Sequence, residues 1–431
     1  MNKQHLIRKC LLGGICMLTG WSMAAQETDS MLCCLHSTTA QETDSIVPGR
    51  AFYTTGISNT AAVATVKGVD LDKTISPNFT NIWAGQLTGL YINGSDGMPT
   101  GNADWLIRGF GSYSMARVSI AKLYVDGFEV DADYLKCLSP MEIESVSVLK
   151  DAASLSTFGM RGANGVIWIE TKRGKSGKPT IYAQVRGTLQ QPVNVNKALD
   201  AYSFASLYNQ AVSNDNGQRW TPYYSQEQLA AYQNGKSPNI DWYKEVLKDQ
   251  GSYLDANLMF NGGNESARYN IVLAYTDHGG LLNVDNSDEN KDKVSNINMN
   301  KFNLRSNFDL NLFNFFEAKI DLGGRIENAR YPNYNIDTLM NNVAHYPANI
   351  YFPYDNNEKT HYSGTTLHPN NPVGSLNGLG WKSARIRILQ GNFTLKEKLD
   401  FITPGLYLKE AISFYSRTLS TYNKTRNYAR Y

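Results

Sequence analysis

The chain carries almost no net charge. Among its 431 residues, 41 Lys and Arg stand against 39 Asp and Glu, leaving +2. So even a balance excludes the basic footprint by which proteins hold nucleic acid. Cysteine is scarce as well. Cys10 and Cys16 fall in a segment expected to be removed, Cys33 and Cys34 are sequence neighbours poorly placed to pair, and Cys137 stands alone. No Cys/His spacing fits zinc, and the six histidines are scattered as surface or loop residues. No carboxylate pair, Ser/His/Asp set or Cys/His pair has a spacing suited to catalysis. The chain is therefore expected to be no enzyme and to need neither metal nor cofactor. Two stretches imitate phosphate loops and fail. Gly109-Phe110-Gly111-Ser112-Tyr113-Ser114 lacks a third glycine, and Gly174-Lys175-Ser176 has Ile169 where the upstream glycine belongs.

Long apolar runs are missing too. After the N-terminus none approaches the ~20 residues of a membrane helix. What the chain has in quantity is Tyr, 26 of them, together with abundant Asn and a negative mean hydropathy. That mixture suits β-barrels, whose membrane strands are apolar on one face only.

From Thr180 onward such strands are visible. Ile181, Ala183, Val185 and Leu189 alternate with Tyr182, Gln184, Arg186 and Gln190. Leu254–Phe260, Tyr269–Tyr275, Phe302–Leu310 and Phe316–Ile326 repeat the pattern, opposing apolar side chains to Asp255, Asn257, Asn270, Asn303, Arg305, Asp309, Asp321, Arg325 and Glu327. Two less regular strands lie around Ile386–Leu395 and Leu406–Arg417. Each run has roughly the 9–11 residues of a tilted transmembrane strand. The connections alternate long and short: 191–252, 277–300 and 327–385 against Gly262–Asn264, Leu312–Phe315 and Asp400–Gly405. Outer-membrane barrels have this asymmetry, with short periplasmic turns and long external loops. A soluble antiparallel sheet with one wet face has no reason for it. Within the long loops, Asp200, Ser225 and Asp241 are placed to cap helices through Ala211, Tyr232 and Leu247. Trp220, Tyr223, Tyr224, Trp242 and Tyr243 either pack these loops or stack on a sugar ring. Asp285–Glu289 is acidic but lacks calcium-loop spacing, and reads as a solvated tip.

The stretch before the strands is different. Leu123–Val125 is a short strand stopped by the turn Asp126-Gly127. Glu142–Asp151 alternates at strand period, Ala152–Ser154 is one helical turn, and Phe158–Gly165 is too glycine-rich for a regular element. Val166–Thr171 is a second strand, closed by Lys172-Arg173-Gly174. Upstream, Val63–Leu71 reads as strand and turn, Asn81–Leu90 as a short amphipathic helix, and Tyr91–Gly94 and Asp104–Gly109 as strands.

This stretch resembles the plug-domain signature of the SusC/RagA family of TonB-linked outer-membrane transporters. The matching positions are Asp126 and Gly127; Ile143-Glu144-Ser145; Leu149-Lys150-Asp151-Ala152; Gly159; Arg161-Gly162-Ala163-Asn164-Gly165-Val166-Ile167; and Thr171-Lys172-Arg173-Gly174. The resemblance covers the chain from about Val63 to its end. It implies an α+β plug domain over 56–176, followed over 180–431 by antiparallel transmembrane strands of an incomplete barrel, about seven in number. It also implies an outer-membrane location with the plug on the periplasmic side of the lumen. Energy would come from the inner-membrane coupler TonB, and a SusD-like surface lipoprotein would help capture an oligosaccharide or peptide.

The N-terminus agrees with export. Met1–Ala25 has the positive start, short apolar centre and small residues of a signal peptide, and no lipobox precedes a cysteine. Residues 26–55 read as a mobile tail, in which Ala25–Ser30 recurs unchanged as Ala40–Ser45. Family resemblance puts the TonB-contact segment here, with Ile46-Val47-Pro48 the apolar candidate. The tail has no room for the small β-sandwich that many relatives carry there. Seven strands cannot enclose a plug, since eight leave room only for side chains and about twenty-two are needed to house one. The chain thus reads as the front portion of a longer transporter, and its rivals are a truncated, non-functional product, a signalling transducer and, more distantly, a soluble adhesin.

Overall fold

The computed structural model describes residues 36–37, 61–76, 79–94, 103–111, 121–135, 138–193, 195, 198–217, 220–284, 296–313, 315–356 and 361–431. The signal peptide, the duplicated segment, Ile46-Val47-Pro48, all five cysteines and Asp285–Glu289 lie outside them.

Five short strands form the N-terminal sheet: β2 (Val63–Lys67), β5 (Lys122–Val125), β6 (Phe128–Val130), β7 (Ile143–Leu149) and β8 (Val166–Thr171). Their order is β2-β7-β8-β5-β6, with β5 and β8 parallel and the other pairs antiparallel. A separate hairpin joins β3 (Leu90–Gly94) to β4 (Ala103–Ile107). The turn after β5 forms because Asp126 and Gly127 both take positive φ, 50° and 94°, as a two-residue hairpin demands. Asp151 caps the single turn Ala152–Leu155. Leu71, Trp83, Val125, Leu135, Ile143, Val146, Val148, Ile167 and Ile169 pack into one fully apolar core.

Two expectations change here. The helix expected over Asn81–Leu90 is a 3₁₀ turn, Phe79–Trp83, followed by turns. Gly85 and Gly89 sit at φ 73° and 87°, which no helix accommodates. The glycine-rich stretch, in contrast, is ordered as 3₁₀ structure over Ser156–Gly162, kinked at Gly159.

The second sheet is built from seven long antiparallel strands: β9 (Gly177–Gln190), β10 (Gly251–Gly263), β11 (Ala267–Gly279), β12 (Asn298–Leu312), β13 (Phe316–Pro332), β14 (Gly380–Lys398) and β15 (Tyr407–Thr425). They pair in sequence order, and β1 (His36–Ser37) adds two residues beside β15. Among the described residues the sheet is open, since β9 and β15 do not pair. The strands are 13 to 19 residues long, beyond the expected span. The polar ends left out by an alternation pattern still complete the backbone ladder, which keeps their amide groups satisfied.

Connections 264–266, 313–315 and 399–406 are short, while the described residues of 191–250, 280–297 and 333–379 gather at the other end. The three long loops share a core of their own. Trp242 and Val246 from the first pack with Leu282 and Val284 from the second, and with Leu339, Val343, Tyr351, Val373 and Leu376 from the third. Helices Ala201–Asn216, Gln226–Gln233 and Trp242–Val246 begin at the caps Asp200, Ser225 and Asp241. Helices Ile336–His345 and Pro372–Gly378, which local patterning did not suggest, complete this layer.

Candidate functional site: the interface between the N-terminal unit and the strand sheet

The long sheet is inside out relative to a soluble protein. Leu254, Phe302, Leu322, Ile326 and Leu389 are exposed, whereas Asp255, Asn257, Asn270, Asn303, Arg305, Asn307, Asp321, Arg325 and Glu327 are buried. The N-terminal unit lies against this polar face and satisfies much of it. Alternation puts one set of side chains on each face, and contact with the unit decides which set is buried.

The end of β8 and the β5–β6 turn supply the central contact. Asp126 accepts from the Thr171 amide at 2.9 Å and from its hydroxyl at 2.6 Å. Arg305 of β12 reaches in, 2% exposed, donating to Asp126 at 2.8 Å and to the Tyr134 hydroxyl at 3.2 Å. Asn307 donates to the Thr171 hydroxyl and to the Lys172 carbonyl, both at 2.9 Å. Arg173 grips Asp321 of β13 with both terminal nitrogens, one at 2.9 Å, and lies 3.4 Å from Asp309 and 3.8 Å from Asp126. Burial opposes the Arg173 charge, but Asp126, Asp321 and Asp309 outweigh it and hold its pKa above the ordinary value. Gly174 passes so close to β11 that a Cβ there would stand 2.3 Å from the Tyr269 nitrogen. Only glycine fits at that point.

Two further contacts flank this one. Arg186 of β9 lies 3.0 Å from Asp72 and 2.7 Å from Asp255 of β10. Glu142, fully buried at the end of the 3₁₀ turn just before β7, accepts from Asn303, while its Oε2 has no hydrogen-bond partner. Burial pushes its pKa up to about 7, against the pull of Arg305, Lys301, the Ser139 backbone and Asn303. Its carbonyl accepts from the Lys172 amide at 2.8 Å, tying this contact to the central one.

The signature residues therefore divide into two groups. Asp126, Thr171, Lys172, Arg173 and Gly174 face the strand sheet, as the bonds above describe. The others shape the N-terminal unit from within. Leu149 is core, Ser145 donates to Glu170 at 3.1 Å, and Lys150 donates to the Thr88 carbonyl at 2.6 Å. Arg161 pairs with Glu129 at 3.0 Å on the surface. Gly162 passes close to Phe158, and Gly165, at φ 89°, packs against Ile107. Glu144 is exposed, as are Gly159, Arg161 and Ala163. Gly127 closes the hairpin, Asp151 caps its turn, and the Asn164 side chain lies beside Gly111.

Sequence reasoning named Asp126, Thr171, Lys172, Arg173 and Gly174 as signature positions, without their partners or the network they join. Asp72, Tyr134 and Glu142 carry no local signal, and Arg186, Asp255, Arg305, Asp309 and Asp321 read only as polar strand positions. Their partners lie 69 to 179 residues away in the chain. The aromatic loop residues also separate. Trp242 is buried against Tyr346 and Tyr351, so it cannot meet a sugar, whereas Tyr223 is exposed within a cluster of Tyr208 and Tyr224.

What this arrangement can do follows from its chemistry. Two surfaces joined mainly by ion pairs and hydrogen bonds expose mostly polar groups on parting, and water replaces the lost partners. An apolar interface of the same size would resist separation by the full hydrophobic cost.

Comparisons with known proteins agree with the geometry. Residues 56–166 match the TonB-dependent Receptor Plug Domain family. The chain is 26% identical over 386 residues to the TonB-dependent receptor SusC of Bacteroides thetaiotaomicron, covering 82% of this chain and 35% of that protein. It is 31% identical over 265 residues to the TonB-dependent receptor P3 of Formosa agariphila, covering 61% of this chain and 23% of that one. Among solved structures, the RagAB peptide importer in its open-open state superposes with a TM-score of 0.59 at 20% identity, covering 88% of this chain and 46% of that one. The chain thus spans about a third of the curated relative's length and under half of the solved one's. In sequence and in fold it resembles the N-terminal portion of a SusC/RagA-type TonB-dependent receptor: a plug with antiparallel barrel strands.

Proposed function

We propose that the chain belongs to an outer-membrane importer in which the plug, residues 56–176, closes a barrel begun by strands within 180–431. The observation that carries this reading is the inverted sheet: apolar side chains outward, and Arg305, Asp321 and Asp255 inward against the plug. In lipid, outward apolar faces are stable and inward polar ones need a hydrated or polar partner. The plug is that partner while the barrel is closed. Energy delivered by TonB would pull on the plug, break the Asp126–Arg305 and Arg173–Asp321 contacts, and open a polar path. The signature positions Asp126, Thr171, Lys172, Arg173 and Gly174 hold the closed state. Met1–Ala25 directs export, residues 26–55 form the periplasmic tail, and Ile46-Val47-Pro48 meets TonB by strand addition. The cargo is a nutrient, an oligosaccharide or a peptide, captured with a SusD-like lipoprotein above the long loops. None of these steps is catalytic and none needs a cofactor.

The test is uptake by the full-length gene product in cells with and without TonB. Nutrient accumulation should vanish without TonB and return on complementation. Equal uptake in both strains would overturn the import reading, and recovery of the protein in the soluble periplasm would overturn the barrel.

A further inference from the structure

The outward face of β13–β15 is not uniformly apolar. Register places Ile326 of β13, Arg387 of β14 and Thr418 of β15 at one level. One step nearer the long loops come Asn328, Arg385 and Ser420, then Arg330, Ser383 and Tyr422, and beyond them Trp381 beside Lys424. This end of the three strands therefore presents Arg330, Arg385, Arg387 and Lys424 outward, with Arg330 stacked 4.8 Å over the Trp381 ring. Arg385 and Arg387 are exposed, and Arg385 is steadied by a 2.8 Å bond from its Nε to Asn328. Asp277, the outward carboxylate at the level of Arg385, stands three strands away on β11. The opposite end of β14 and β15 carries the outward acids Glu397 and Glu410.

Just below the arginines, the apolar face is grooved. Gly324 has no side chain, and a Cβ there would meet nothing within 4 Å. The resulting depression of about 280 Å³ is lined by Phe302, Leu304, Ile326, Leu389 and Arg387. A mostly apolar furrow that crosses β12–β15 at two register levels, with Arg387 on its upper edge and Arg385 one step above, matches one kind of molecule. It must have a hydrocarbon chain and an anionic head.

We propose that this face binds a phosphorylated lipid of the surrounding leaflet, its acyl chain over Gly324 and its phosphate on Arg387 and Arg385. The inference rests on the barrel reading above. Arginine forks pair with phosphate oxygens in a bidentate way that an exposed neutral patch cannot match. Stacking on Trp381 keeps Arg330 at the interfacial level, where indole rings settle. Since the furrow and the cations lie on the same strands, the site has two separable halves.

The experiment uses the full-length protein in bilayer nanodiscs, released and read by native mass spectrometry. The probes are dioleoylphosphatidylglycerol, dioleoylphosphatidylcholine and inorganic phosphate. Phosphatidylglycerol should stay bound after release and phosphatidylcholine should not. The double variant Arg385→Gln/Arg387→Gln should weaken retention roughly 25-fold, from about fivefold per cation near a membrane surface. Gly324→Leu should also lower lipid retention while leaving the arginines in place, and Glu397→Gln should change nothing. Equal retention of both lipids, or no effect of the double variant, would overturn the site. Displacement of lipid by inorganic phosphate, with Gly324→Leu silent, would reduce it to an anion site without a chain and overturn the lipid assignment. A protein that fails to enter the bilayer would overturn the barrel reading itself, an outcome distinct from insertion without lipid preference.

Discussion

The plug and the strand sheet use the same alphabet in opposite senses. In the plug, Leu71, Val125, Ile143, Val146, Ile167 and Ile169 are wholly buried, as in any soluble domain. In the sheet, Asn270, Arg305 and Asn307 are 1–2% exposed, while Leu389 is 57% and Ile326 47% exposed. Strand alternation assigns side chains to two faces in both regions, and it does not say which face turns inward. The medium on each side decides that. The plug is surrounded by polar groups and turns its apolar residues toward itself. The sheet has a polar plug on one face, so its apolar residues go the other way, where lipid would receive them. Between the two regions lies a contact made mainly of charge and hydrogen bonds, which fixes specific partners and buries mostly polar groups.

The strongest break of this contrast is Leu322→Arg, outward near the middle of β13. Arginine on the lipid face at mid-depth costs about 2–4 kcal/mol, and folding yield into vesicles should fall while the isolated plug keeps its urea midpoint. Next in size is Arg305→Ala. It removes the nearest cation from buried Asp126, leaving the Thr171 bonds and Arg173 at 3.8 Å, and should cost up to about 3 kcal/mol. Hydrogen exchange over 166–174 should accelerate accordingly, with protection elsewhere in the plug core retained. Glu142→Gln sharpens the comparison from the plug side. Glu142 has a folded-state pKa raised to about 7 from 4.5, so the folded protein binds the extra proton between those values. Stability should therefore fall as pH rises from 4.5 to 7, by up to roughly 3 kcal/mol. The glutamine variant should flatten that slope, and an unchanged slope would remove Glu142 from the interface's energetics. The smallest effect belongs to Arg161→Ala. Its partner Glu129 is on the plug surface, and an exposed pair contributes about 0.5 kcal/mol or less. Although Arg161 is as much a signature position as Arg173, plug docking should not register its loss.

Much of the architecture was legible residue by residue. The seven strands, the alternation of long and short loops, the Asp126-Gly127 turn and the caps Asp200, Ser225 and Asp241 all depend on neighbours within a few positions. Misreadings were local conflicts of the same kind. Apolar spacing over Asn81–Leu90 suggested a helix that Gly85 and Gly89 interrupt, and the glycines of Ser156–Gly162 hid an ordered 3₁₀ stretch.

What the sequence determined by itself was periodicity, turn chemistry and the identity of the plug signature, because these are properties of short segments. Only the tertiary structure decided which polar residues become partners. Asp126, Thr171, Arg173, Arg305 and Asp321 come together from a turn, a strand end and two barrel-type strands far apart in the chain, and no period links them. The same holds for the shared core of the long loops, where Trp242, Leu282, Leu339 and Leu376 meet across three connections. Local chemistry selects the element. Long-range packing, which must offset the entropy of closing those loops, selects the contacts through which the plug is held.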